Sequence, residues 1–187
     1  MKIFERSIVS NSYWINVPGS LDVRAYAENA KTKEKFGSEW KSIEVEYLKV
    51  NSKGERRFAV DMPSGGLSGL ILNEKAKIAL ESFVLHYGEL LPLRCPDEPL
   101  WLVNVTNVVD ALDFEESDIT SRDKYPKSTP LIYRPVFKIE KLTKGALFRL
   151  PYENISTTYF DDEFVSLVTN KGLTGLVPRL VWDSEKK

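Results

Sequence analysis

One cysteine, Cys95, and one histidine, His86, are all that this chain of 187 residues offers of the two residue types. That scarcity excludes a disulfide framework and every zinc site assembled from cysteine and histidine ligands. His86 falls near the end of a helical segment, where imidazole can satisfy terminal carbonyls, and nothing at a fixed spacing pairs it with a nucleophile. Cys95, between Arg94 and Pro96, reads as a lone reduced thiol, because a cysteine nucleophile needs a positioned base. Charge of one sign is also missing. Lys plus Arg total 26 against 27 Asp plus Glu, a net of -1, so no global positive field exists to hold a phosphate backbone, and direct nucleic-acid binding is not expected. Long apolar runs are lacking too: the richest, Leu100–Val109, is broken by Asn104, Thr106 and Asn107, far short of the roughly 18 residues of a membrane span. The first residues, MKIFERSIVS, interrupt any signal-like apolar stretch with Glu5 and Arg6, so a cytoplasmic location is expected.

What is present, 42% hydrophobic and 28% charged residues, predicts a single folded domain over 1–187. Strand signals dominate. Ile43-Glu44-Val45-Glu46-Tyr47 alternates apolar and acidic residues, the pattern of a strand buried on one face. Arg57–Met62, Leu100–Val109, Leu131–Ile139, Ala146–Leu150 and Leu173–Trp182 read as further strands, and Asn51-Ser52-Lys53-Gly54 as a hairpin turn. Two segments have helical spacing instead. In Asn73–Tyr87 the residues Ala76, Ala79, Leu80, Phe83 and Val84 form one stripe, Asn73 is an N-cap, and Gly88 stands where a left-handed terminal residue would. In Asp161–Lys171 the acidic start and basic end complement the helix dipole, and Gly172 follows. The fold class predicted is α+β, mostly antiparallel sheet with two main amphipathic helices at about 73–87 and 161–171. Each helix lies between two strand-like segments, a shared layout that is either an internal repeat or the ordinary appearance of any strand-helix-strand unit.

The search for chemistry turns up little. Ser64-Gly65-Gly66-Leu67-Ser68-Gly69 is glycine-rich, but lacks the Lys and Ser or Thr of a P-loop, the spacing of a dinucleotide fingerprint and that of an esterase elbow. Carboxylates are the only catalytic groups in supply: Asp110, Asp113, Glu115, Glu116 and Asp118 form one acidic run, and Asp161, Asp162 and Glu163 a second. Paired carboxylates can bind a divalent cation or share acid and base roles, yet the calcium-loop spacing is absent, and such runs also serve as solvated surface or dipole complement. No cofactor or metal is expected. The four tryptophans, Trp14, Trp40, Trp101 and Trp182, read as core packing, since no basic groove accompanies them. The irregular stretch between Asp113 and Pro130 is the natural place for a partner contact.

The linear order of features resembles the immunity proteins of bacterial polymorphic toxin systems. The resemblance lies in Gly69–Ala76, a helix ending at Gly88, Leu90–Leu93, Leu100–Val105, Val108–Asp113 with Ser117, Leu147–Leu150, Asp161–Phe164 and Gly172–Leu176, about residues 69–182 in all. Residues 1–68 form a β-rich, variable part outside it. The resemblance implies a small α+β protein that binds a cognate toxin and neutralises it stoichiometrically, without catalysis; a nuclease toxin would suit an acidic inhibitor. Asp113, Glu115, Glu116, Asp118, Asp161 and Asp162 are the expected partner-binding residues. The alternatives are a carboxylate-based enzyme, with or without a divalent metal, and a general protein-interaction module.

Overall fold

A computed structural model describes residues 1–19, 24, 26–27, 33–120, 131–144, 146–152 and 157–186. Its strands are β1 (Lys2–Ser7), β2 (Trp14–Asn16), β3 (Glu46–Leu48), β4 (Ser64–Gly65), β5 (Leu70–Asn73), β6 (Gly88–Leu93) and β7 (Leu100–Val105). Then come β8 (Asp118–Ile119), β9 (Ile132–Arg134), β10 (Leu147–Phe148), β11 (Tyr159–Asp161) and β12 (Val177–Asp183), with helices α1 (Glu74–Val84) and α2 (Asp162–Asn170). The architecture is α+β, as predicted. The sheets have orders β10-β11-β1-β12, β3-β2-β4, β5-β7-β6 and β8-β9, and every strand pair is antiparallel except β2 with β4.

β7 explains why its sequence is a continuous apolar run. Leu100 and Leu102 pack on one face with Ile15, Ile43, Val45 and Tyr47, while Val103 and Val105 pack on the other with Leu80, Val84 and Phe164. A strand buried on both faces loses the alternation that marks a half-exposed one. The segment Ile43–Tyr47 keeps its alternation, with Ile43, Val45 and Tyr47 buried between exposed Glu44 and Glu46. Only its end joins a sheet, as β3, while Val45 N–H donates to Arg94 O across a parallel bridge.

The two helices occupy equivalent places. α1 connects β5 to β6, which flank β7; α2 connects β11 to β12, which flank β1. Because each flanking pair is antiparallel to the strand between, both units are split strand-helix-strand motifs, each with the last strand residue as helix cap. Asn73 Oδ1 accepts from Ala76 N–H at 3.0 Å, and Asp161 Oδ1 accepts from Glu163 and Phe164 N–H at 3.1 Å each. The helices meet through Phe83 and Phe164, whose rings stack at 5.2 Å, in a cluster that also holds Leu72, Leu80, Phe160 and Val168.

Several expectations need correction. Gly172 is left-handed, with φ of +61°, as a helix-ending glycine should be, but Gly88 is not. α1 ends in a turn at 85–87, and Gly88 opens β6, where a Cβ would lie 2.0 Å from Asn104 O. Close backbone approach, and not helix termination, requires that glycine. Arg57–Met62 makes a single isolated bridge, Phe58 to Ser12, and its end is fastened elsewhere by Asp61, whose Oδ2 accepts from Thr174 N–H at 2.8 Å and from Lys75 Nζ at 2.9 Å. Leu131–Ile139 is interrupted after Arg134, at Pro135, and ends in a single turn of 3₁₀ helix, Ile139–Lys141. β1, at the centre of the largest sheet, answers to no strand expected from the sequence, and buried Ile3 ties residues near the N-terminus to Phe148, Leu150 and Tyr159. Among the described residues, no helix is long and apolar enough to cross a membrane.

Candidate partner-binding surface

The first acidic run is a built turn. Asp113 N–H donates to Val136 O at 2.8 Å, and Asp113 Oδ1 accepts from Glu115 N–H at 3.1 Å and Glu116 N–H at 3.4 Å. An aspartate that folds its own side chain onto the next two amides is a standard turn former. Ser117 closes the turn: its N–H donates to Asp113 O at 3.0 Å, and its hydroxyl accepts from Val136 N–H at 2.8 Å. Beneath it the chain is anchored by the bridge of Leu112 to Phe137, a buried ring in edge contact with Phe148, Tyr159 and Trp182. Asp113 is therefore a structural member, and Glu115 and Glu116 are carried exposed at the tip.

Asp118 begins β8, exposed and directly across from Arg134 of β9, whose guanidinium donates to Glu116 O at 3.3 Å. The partner strand adds what the charge pattern did not announce. Leu131 is 60% exposed and Tyr133 66%, beside the acidic turn on a two-stranded ribbon. Ile132 packs partly into the core, so alternation sends Tyr133 to the opposite face. The sequence signal was available: Leu131-Ile132-Tyr133 offers apolar side chains to both faces, and a two-stranded ribbon can bury only one of them. Large exposed apolar residues next to charge are the usual composition of a protein-binding patch. Residues 121–130 of the expected contact loop lie outside the described residues.

The second acidic run is placed differently. Asp161 is 1% exposed, and its carboxylate caps α2. Asp162 is exposed and accepts from Lys2 N–H at 3.1 Å; that bond is the main reason its carboxyl is held below the ordinary carboxylate range. The turn at 113–117 and the start of α2 thus sit on separate elements, tied respectively to Val136 and to β1. Asp110 accepts a hydrogen bond from Tyr152 Oη.

Other residues singled out by the sequence have structural places. His86 Nδ1 lies 2.6 Å from Ser82 O at the end of α1, and Cys95 is half-buried. The four tryptophans are half-buried and none is in the deepest core. Among the described residues, no group of three or more His, Cys, Asp or Glu is arranged to hold a metal ion. The Ser64–Gly69 run lines an open cleft of about 400 Å³ together with β1.

Residues 93–183 match the model of the immunity protein family (Imm11). The matched stretch begins at the end of β6 and takes in the acidic turn, β8, β9, α2 and β12; the Gly69–Pro92 part of the resemblance seen in the sequence lies before it. No curated protein matches the chain.

Proposed function

We propose that this chain, matched over 93–183 to a family of immunity proteins, binds a cognate toxin and neutralises it by occluding the toxin's working surface. The observation that carries the reading is that match, which covers the acidic turn and the ribbon beside it. Inhibition of this kind takes no catalysis. It takes an interface of standard size, about 1,600 Å² in total, with a few desolvated anchors and a charged rim.

Tyr133 and Leu131 are the anchors in this reading, and Glu115, Glu116 and Asp118 the rim. A nuclease is the toxin chemistry that fits best, because a protein that grips phosphates must present positive charge, and an acidic rim accelerates encounter with it. The test is co-expression of the cognate toxin with the Tyr133→Ala single variant and the Glu115→Lys, Glu116→Lys, Asp118→Lys triple variant. Tyr133→Ala should weaken binding by about 2 kcal/mol or more, roughly thirtyfold, with melting temperature unchanged, and the triple variant should slow association most at low salt. Full protection and unaltered affinity in both would refute the assignment of this face.

A further inference from the structure

The cleft lined by the end of β1 and by the Ser64–Gly69 run contains a cation with no anion paired to it among the described residues. Arg6 lines it, and its Nη2 donates to the backbone carbonyls of Met62 and Gly175, tying β1 to two loops. Its Nε is buried without a hydrogen-bond partner, and no carboxylate among the described residues forms an ion pair with Arg6. Burial lowers its pKa to about 10, because desolvation disfavours the charged form. A second orphan lines the same cleft: Ser64 is buried, and its Oγ has no partner. Ser7, Ser68, Thr157 and Thr158 add hydroxyl-bearing side chains to the walls. Glu5, the carboxylate in the lining, is already bound to Arg179.

We propose that this cleft receives a carboxylate side chain, glutamate or aspartate, from a bound protein, with Arg6 and Ser64 as its donors. An unpaired guanidinium favours an oxyanion over any neutral group, because charge-assisted hydrogen bonds are about twice as strong as neutral ones. The rim favours a peptide over a free ion: Ile8 is 64% exposed and Trp14 half-buried, apolar surface that a hydrated inorganic anion does not use. At about 400 Å³ the cleft falls in the range of specific ligand pockets. The proposal rests on the immunity reading only for which protein carries the carboxylate, and its lining residues are not those of the acidic ribbon.

The test needs no toxin, so its failure and the failure of the immunity reading are separable. The isotope-labelled full-length protein is titrated with N-acetyl-glutamate N-methylamide, with the matching glutamine derivative and inorganic phosphate as controls, and observed by NMR. The expected result is saturable shifts of the Ser64–Gly69 amides and of Arg6 Nε–H with the glutamate probe, at millimolar affinity. Ser64→Ala should weaken binding about three- to tenfold and Arg6→Lys about tenfold. Should Arg6→Lys fail to fold, because Arg6 also holds Met62 and Gly175, Ser64→Ala decides alone. No saturable shift up to tens of millimolar, equal shifts from the glutamine probe, or an unaffected Ser64→Ala variant overturns the proposal. Tighter binding of phosphate than of the glutamate probe overturns it as well, leaving a small-ion site.

Discussion

Asp161 can be asked directly whether it holds the fold or touches a partner. In the sequence it belongs to an acidic run that invites a binding role; in the structure its carboxylate accepts from the N–H groups of Glu163 and Phe164, the second of these bonds fully buried. Asp161→Ala removes a helix cap, at about 1 kcal/mol, and strands a buried N–H, at about 1–2 kcal/mol more. The sum of about 2–3 kcal/mol lowers the melting temperature by about 4–12 °C in a protein of this size. Asp161→Asn keeps the accepting oxygen and should melt within about 2 °C of the parent, since asparagine caps nearly as well as aspartate. Thermal melts by circular dichroism, run beside a toxin-protection assay, separate the two roles. If the alanine variant melts like the parent, the capping argument fails. If the asparagine variant is stable yet loses protection, the carboxylate acts on a partner and its burial here has been misjudged.

The two helix-following glycines should part company: Gly172→Ala costs about 1–2 kcal/mol for a left-handed residue in open space, whereas Gly88→Ala, meeting Asn104 O at 2.0 Å, should cost about 3 kcal/mol or prevent folding, as chemical denaturation will show. Burial pushes the Asp61 carboxyl up, but hydrogen bonds from Lys75 and Thr174 outweigh it and hold it below its ordinary 3.8. A carboxyl lowered in the folded state stabilises above its unfolded pKa and loses that contribution as pH falls through its folded value. The stability gap between the parent and Asp61→Asn should therefore be constant from about pH 7 to pH 5 and shrink below about pH 4, as urea unfolding across that range can check.

The helices were legible because their information is local: a cap, a stripe and a terminal charge lie within a dozen residues, and both helices form where those signals fall. The Ile43–Tyr47 alternation was legible for the same reason. β1 was not, because Lys2–Ser7 puts Glu5 and Arg6 into a central strand, and their tolerance there depends on Arg179 and on the carbonyls of Met62 and Gly175, which lie far away in sequence. Arg57–Met62 misled in the opposite direction, its apolar content going to a loop that Asp61 fastens to Thr174. At the candidate surface the charge of Glu115, Glu116 and Asp118 could be read directly. The exposure of Leu131 and Tyr133 was signalled only by an apolar run on a ribbon that can bury one face, and the separation of Asp161 from the turn not at all, since burial is decided by which elements cover which.

The position of β1 also sets a timetable. It precedes the other described strands in the chain, and both strands that pair with it, β11 and β12, come about 150 residues or more later. At typical synthesis rates that is a wait of roughly ten seconds or longer with its hydrogen-bonding edges open. Closing so long a loop makes the largest sheet a slow, late step of folding, while the β5-β7-β6 unit, with short connections, can form early. For a molecule proposed to meet a toxin, the interval between synthesis and protection would then be governed by when that sheet closes, and not by how fast the two proteins diffuse together.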